Sequence, residues 1–405
     1  MSINIPSGYK QTKVGVIPED WEVVKLNEES LIQRGKFSPR PRNDPQYYNG
    51  KYPFVQTNEV VNSKGKISKY TQSLNDKGLK VSKLFPKGTI LMTIAANIGF
   101  TGILEQDMAC PDSLVGIECK KGLFNQYLNF YFIYNQKRID YLSEEAAQKN
   151  INLRTLNMFK IPLPPLKEQQ KIAQILTTWD DAISRQEELI EAKEKLKKGL
   201  MQKLLSGEVR FDGFDGEWEE VRLEEVLYIP KKIKPDIIDK NKLLSVKLHL
   251  KGVTVNKNTD SLSLGASYFI RDKGDFIFGK QNIFNGAFGI IPDKFNGYLS
   301  SSDVPVLSFK NSINSIYFIY FISRKDFFKK LENISNGTGS KRVHEKDLLS
   351  VKIKLPHLQE QQKIAQLFTT ADKEIELLKD ELDTLKEQKR GLMQRLLSGV
   401  VRVKV

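Results

Sequence analysis

Near the end of the chain the apolar residues fall at alternating spacings of four and three. Ile364, Phe368, Ala371, Ile375, Leu378, Leu382, Leu385, Leu392 and Leu396 form one stripe, interrupted by Lys389. That is the a/d seam of a coiled coil, and it predicts a helix over residues 358–397. A second stripe lies over residues 166–205: Ile172, Leu176, Trp179, Ile183, Ile190, Leu200 and Leu204. Its middle is polar, at Gln186, Lys193 and Lys197, while Leu189 and Leu196 offer a shifted stripe. Two self-complementary zippers would not need this difference, so the helices are expected to pair with each other inside the chain, antiparallel. Each begins after a proline (Pro165, Pro356) and stops at Ser206-Gly207 or Ser398-Gly399, the expected punctuation. About 40 residues rising about 1.5 Å each give a rod of roughly 60 Å. Gly199 and Gly391 sit in the last turns. They are either tolerated helical glycines, at about 1 kcal/mol each, or points of close approach by another backbone.

The two helices are copies. KIPLPPLKEQQKIAQILTTWDDAI from Lys160 is matched, 192 positions later, by KIKLPHLQEQQKIAQLFTTADKEI from Lys352, without a gap through Phe211 and Val403. A repeat of that length sets the architecture. A zipper constrains only its seam, yet EQQKIAQ, GLMQ and LLSG recur off it. Gln169, Gln170, Lys171, Met201 and Gln202, with Gln361, Gln362, Lys363, Met393 and Gln394, are therefore candidate contacts for another protein, although recent duplication would leave the same residue.

The intervening segments are rich in Val, Ile, Phe and Tyr with Gly, Asn and Asp turns, which predicts mixed α/β domains of about 150 residues. They share landmarks in the same order. IPEDWEVVKLNE matches FDGEWEEVRLEE, aligning Trp21 with Trp218 and Leu26 with Leu223. KGTILMTI from Lys87 matches KGDFIFGK from Lys273, and NIGFTGIL from Asn97 is echoed by NGAFGII from Asn285. The expected division is a globular domain over 1–160, a helix over 161–207, a second domain over 208–352, and a helix with tail over 353–405.

Charge then narrows the partner. The 405 residues carry 63 basic and 49 acidic side chains, a formal net charge of +14. Residues 166–205 hold 8 basic and 7 acidic side chains, and residues 358–397 hold 7 and 8, so the excess lies in the globular parts. A basic surface can serve solubility alone, but nucleic acid is the better match, ahead of an anionic membrane, since no basic amphipathic helix stands out. Cys110 and Cys119 form no disulfide framework, three scattered histidines suggest no zinc site, and the opening MSINIPSGYKQTKVG lacks a signal-peptide apolar run; a reducing cytoplasm is the expected location. GDFIFGKQ from Gly274 approaches a phosphate-loop pattern, but Gln281 replaces the metal-holding Ser/Thr and Phe276-Ile277-Phe278 reads as a buried strand. No Asn-Pro-Pro-aromatic tetrapeptide, glycine-rich S-adenosylmethionine loop or nuclease carboxylate cluster is present, so no catalytic residue or metal ligand is assigned.

On DWEVVKL from Asp20, PLPPLKEQQKIA from Pro162, GLMQKLLSG from Gly199 and the doubled motif order, the chain resembles, over essentially its whole length, the specificity subunit of type I restriction-modification systems. The resemblance implies two tandem target recognition domains, each reading one half of a split, asymmetric DNA site, with the paired helices as a ruler. It implies a non-catalytic chain without a cofactor of its own. Expected partners are double-stranded DNA, two adenine methyltransferase subunits and up to two restriction-translocase subunits, which would carry S-adenosylmethionine, ATP and magnesium. Two reading modules on one duplex face must sit about one turn, roughly 34 Å, apart. The rival readings are a coiled-coil scaffold without sequence-specific DNA binding and an enzyme acting on DNA alone.

Arg, Asn and Gln side chains can read base edges in pairs of hydrogen bonds, while Lys and Tyr suit phosphates. The Pro/Gly-rich stretch from Arg34 offers Arg40, Arg42, Asn43, Gln46, Tyr48, Lys51 and Gln56, beside Tyr47, Asn49 and Thr57. The second domain offers Lys231, Lys232 and Lys234, then Lys280, Gln281, Asn282 and Asn285, and finally Ser340, Lys341 and Arg342 before the helix. Gln148, Lys149 and Asn150 are the counterparts of that last group. Helix capping is the alternative role for both groups.

Overall fold

The computed structural model describes residues 5–142, 150–256, 267–336 and 340–404. Two compact units emerge: residues 1–187 with 380–405, and residues 188–379. Both sequence stripes are single helices, Leu166–Leu204 and Leu358–Leu397, and each helix contributes one end to each unit. Among the described residues, no helix is long and apolar enough to cross a membrane.

The polar seam positions explain themselves once the partner helix is in place. In the first unit Lys386 pairs with Glu187 at 2.9 Å and Lys389 with Asp180, while Gln186 Nε2 donates to Glu381 at 3.0 Å. In the second, Lys193 pairs with Glu374 at 2.6 Å and Lys197 with Asp372. Residue numbers rise on one helix as they fall on the other, so the pairing is intramolecular and antiparallel. Lys197 and Lys389 lie at equivalent repeat positions, and their side chains are only 17% and 14% exposed. A seam charge so enclosed needs its carboxylate opposite, which fixes register at some cost in stability.

The first unit joins two sheets. One runs Ser30–Arg34, Leu114–Cys119, Ile90–Thr93, Thr101–Leu104, Lys66–Ile67; the other runs Gln72–Leu74, Tyr48–Phe54, Met108–Cys110, Lys83–Phe85. A Cβ on Gly116 would lie 2.2 Å from the Phe85 ring, so a glycine lets one sheet's aromatic rest directly on the other's backbone. In the second unit the sheet order is Leu227–Tyr228, Val306–Phe309, Phe276–Phe278, Phe288–Ile290. Phe276, packed edge-on against Phe318 at 5.1 Å, anchors its core. The phosphate-loop lookalike is therefore a buried strand, with no free backbone to cradle a phosphate.

Each unit closes on both long helices. Ile172, Ala173 and Leu176 enter the first core beside Met393, Leu396 and Leu397; Leu204 and Leu205 enter the second beside Ile364, Ala365 and Phe368. The strand preceding each helix pairs with the strand that opens its domain, Lys160–Leu163 with Glu22–Lys25 and Lys352–Leu355 with Glu219–Arg222.

One polar cluster is built twice. Trp21 Nε1 donates to Glu168 at 3.0 Å, and Arg402 donates to both Glu168 oxygens at 2.7 and 2.9 Å and to Asp20 at 2.9 and 2.8 Å. In the second unit Trp218 Nε1 donates to Glu360 at 3.2 Å, and Arg210 grips the same carboxylate at 3.0 and 2.7 Å. Hydrogen bonds to Glu168 and Asp20 hold the Arg402 pKa above its already high ordinary value.

The residues next to these glutamates are inside as well. Gln169 accepts from the Phe124 N–H at 2.8 Å and donates to Gly122 at 3.0 Å and Pro164 at 2.8 Å. Gln361 repeats this with Asn314, Ser312 and Pro356 at 2.8, 3.3 and 2.8 Å. Gly207 and Gly399 take φ of +77° and +72°, the left-handed helix stop. A Cβ at Gly199 or Gly391 would meet nothing within 4 Å, so no close approach within the described chain accounts for either.

Replacing Glu168 by Ala strands a buried indole N–H. The expected loss is about 1–3 kcal/mol, read by denaturant unfolding, with a comparable loss for Glu360→Ala. Glu168→Gln, which keeps an acceptor for the indole, should cost less.

Candidate nucleic-acid interface

In the first unit the loop between Ser30–Arg34 and Tyr48–Phe54 is tied down by its own candidates. Arg40 Nη1 donates to Pro39 O at 2.8 Å and, more weakly, to Ser38 and Phe37 carbonyls, both at 3.4 Å. Arg40 therefore holds the loop's shape. Arg42 Nη2 donates to the Asp112 carboxylate at 2.7 and 3.0 Å. Both side chains of that pair stay nearly half exposed, so a phosphate or base edge can compete for the guanidinium. Tyr48 OH donates to the Arg42 carbonyl, and burial pushes its pKa up despite Arg42, so it remains a donor.

Arg42, Asn43, Tyr48, Asn49 and Gln56 line a cleft of about 750 Å³, with Glu59, Tyr70 and Gln72 opposite. Gln56 donates to Gln72 at 3.0 Å. Gln46 lies outside it, folded onto Asp44 at 2.6 Å, and Lys51 is exposed beside Asp76 at 3.7 Å. Thr57 reaches Ser113 at 3.3 Å. Asn150 forms an isolated bridge with Ala95. Gln148 and Lys149 lie outside the described residues.

In the second unit, folding brings residues 280–282 beside residues 340–345, which the sequence keeps 60 positions apart. The Val343 N–H donates to Lys280 O at 2.9 Å, joining the two stretches. Glu345 sits below them, pairing with Lys280 at 3.0 Å and Lys232 at 3.3 Å. Burial raises the Glu345 pKa, but its own backbone N–H, Lys280 and Lys232 outweigh that and hold it below the ordinary range. Lys280 and Lys232 are thus neutralised within the fold, which corrects the expectation that both are free for phosphates. Lys231 and Lys234 remain exposed.

Arg342 is likewise engaged, donating through Nη1 to Asp303 at 3.1 Å. The Gln281 amide faces donors only. With its oxygen turned toward them it accepts from Arg342 Nη2 at 2.9 Å, Arg342 Nε at 3.3 Å and Ser340 Oγ at 3.2 Å. Arg342 is therefore a positioning group, not the free base reader expected of it. Lys341 pairs with Glu332 at 2.8 Å, and Asn282 accepts from Asn285 at 3.3 Å. Asp112, Asp303 and Glu345, which set the direction of these cations, were not singled out in the sequence; nothing local marks an acidic residue as the partner of a distant base.

Of the outer helix positions, Gln170, Lys171, Gln202, Gln362, Lys363 and Gln394 are exposed. Lys363 lies over the Phe211 and Phe214 rings at 5.1 and 5.3 Å. Gln169, Gln361 and Met393 are buried, and Met201 packs against the second core. Burial removes the first three from any partner-facing surface.

Comparison with known proteins follows this geometry. The family described as "Type I restriction modification DNA specificity domain" matches residues 18–194 and again residues 215–387. The type I restriction enzyme MjaVIII specificity subunit of Methanocaldococcus jannaschii is 27% identical, over 96% of this chain and 94% of that one. The crystal structure of the type I restriction-modification S subunit from M. genitalium superposes with a TM-score of 0.55 at 17% identity, covering 97% of this chain and 98% of that one. A chain solved in a study of complex assembly and conformational transition of the type I R-M system gives 0.59 at 16% identity, covering 95% and 99%. At these identities the superpositions speak for the fold.

The two kinds of cation separate by experiment. Arg42→Ala should weaken binding to a random duplex and reduce the slope of log affinity against log salt by about one. Lys280→Ala, whose charge Glu345 already balances, should leave that slope nearly unchanged in the same salt titration.

Proposed function

Because this chain belongs to the type I restriction-modification DNA specificity family, as its non-catalytic DNA specificity subunit with two target recognition domains, we propose that each unit reads one half of a split site in double-stranded DNA. The observation that carries this reading is the contrast between the repeats. The clamp of Trp, Glu and Arg is the same in both units, whereas the loops above differ at equivalent backbone positions. A scaffold has no need for that pattern.

The long helices set the gap between the half-sites in this reading, and their outer faces receive two adenine methyltransferase subunits, with restriction subunits joining that assembly. S-adenosylmethionine, ATP and magnesium belong to those partners. Support for docking is the recurrence of exposed apolar residues in both copies: Leu166 and Leu358, 40% and 36% exposed, and Val209 and Val401, 44% and 39%. They lie near the exposed Gln170, Lys171, Gln362 and Lys363. Gly199 and Gly391, open to solvent on the helices, leave room for a partner's backbone.

The test is genome-wide adenine methylation, by single-molecule sequencing, in cells carrying the methyltransferase subunit with and without this chain. A two-part motif that appears only with the chain is expected; a methylation pattern indifferent to it overturns the reading. Removing one matched heptad from each long helix, about 10 Å of rise, should then shorten the motif's gap by about three base pairs and leave both half-sites unaltered.

A further inference from the structure

The Asp303–Arg342–Gln281 array in the second unit determines which base that unit accepts at one position; this rests on the half-site reading above. We propose that Gln281, held by Arg342 as a donor-only group, selects guanine over adenine in its half-site.

The argument begins with the chemistry of an amide. A free glutamine side chain offers an acceptor and a donor together, which is why it pairs with adenine N6 and N7. Gln281 is not free in this sense. Its oxygen accepts from both Arg342 Nη2 and Nε, at 2.9 and 3.3 Å, and from Ser340 Oγ at 3.2 Å. Those donors occupy the acceptor, so the exposed face of Gln281 is its amino group. Asp303 fixes the other side of the guanidinium at 3.1 Å, so the arginine cannot swing away without giving up a charge-assisted bond. The result is an array that presents donors alone. Guanine, with N7 and O6, presents acceptors alone in the major groove, while adenine sets its N6 donor beside N7. Adenine would place a donor against a donor.

The first unit supplies an internal control. Its Ile151 N–H donates to Ile94 O at 3.1 Å, the counterpart of Val343 to Lys280, and its Ile94 N–H donates to Ser113 O at 3.1 Å as Lys280 does to Asp303 O at 3.0 Å. By these bonds Gln281, Arg342 and Asp303 correspond to Ala95, Asn150 and Ser113. The backbone frame is kept and all three side chains are exchanged. An array that merely held the fold together would be retained, as the Trp, Glu and Arg clamp is.

The experiment is the methylation motif directed by the assembled complex in cells, with Arg42→Ala used to assign one half-site to the first unit and hence the other to the second. The wild-type second half-site should contain a position restricted to guanine. Arg342→Ala frees the Gln281 acceptor, and adenine should become accepted there, eroding the guanine preference by roughly tenfold or more. Gln281→Glu keeps the bond to Arg342 but presents an oxygen outward, so the position should move to a base carrying an amino group, cytosine or adenine. The first half-site should stay as it was in both variants, which reports a folded, working assembly. Base preferences unchanged by Gln281→Glu would overturn the proposal, as would a second half-site without guanine. A uniform loss across that half-site in Arg342→Ala, with no gain of adenine, would mark the array as structural and overturn it too. A wild-type chain that directs no two-part motif removes the parent reading, and this one falls with it.

Discussion

A carboxylate buried in the first turn of each long helix is the constraint on which the remaining architecture rests. Glu168 and Glu360 are 2% and 1% exposed, and an ionised group so enclosed is costly unless every lone pair finds a donor. The indole of the domain's opening segment supplies one. The others come from an arginine that follows the opposite helix, Arg402 for Glu168 and Arg210 for Glu360. Neither glutamate can be satisfied by its own domain, so each unit is complete only when the start of one helix and the end of the other arrive together. Antiparallel pairing is then a requirement of the buried charge as well as of the apolar seam.

The same logic explains which parts of the repeat are free to vary. Gln169 and Gln361 bond to backbone groups that any sequence at those positions would present, so the frame survives changes elsewhere. The loops above it are held by backbone hydrogen bonds at matching places, Ile94 with Ile151 and Lys280 with Val343. Side chains there can be exchanged without loss of the fold. A surface of that kind suits recognition that must differ between two halves of one molecule.

The helices and their pairing were legible in the sequence because a seam records its partner in its own pattern. The polar interruptions at Gln186, Lys193, Lys197 and Lys389 pointed to a second, complementary helix, and Glu381, Glu374, Asp372 and Asp180 supply it. The buried strands were legible for a similar reason: Phe276-Ile277-Phe278 is apolar throughout. The site was less so. Gln169 and Gln361 sit in a polar run that reads as surface, and only tertiary contacts reveal that their amides are enclosed. The roles of Arg40, Arg342 and Lys280 depend on carbonyls and carboxylates that no local pattern announces, from Pro39 beside the first to Asp303 and Glu345 far from the others. Residue type narrowed the chemistry, and geometry decided which atoms were left to perform it.

That distinction bears on how a basic protein divides affinity from selectivity. Net charge measures attraction to a polyanion, but a cation matched to a carboxylate in the fold contributes little to the long-range field. Lys280 with Glu345, Arg342 with Asp303 and Lys341 with Glu332 are local pairs of this kind. Their value lies in direction: a guanidinium or amide held from behind presents one pattern of donors and rejects bases that do not match it. The unmatched lysines, such as Lys231 and Lys234, supply attraction without such direction. Phosphate contacts of that sort position a protein on any duplex, and sequence is read where the donors have been fixed in advance. The acidic residues beneath the basic loops therefore belong to recognition as much as the basic residues they hold.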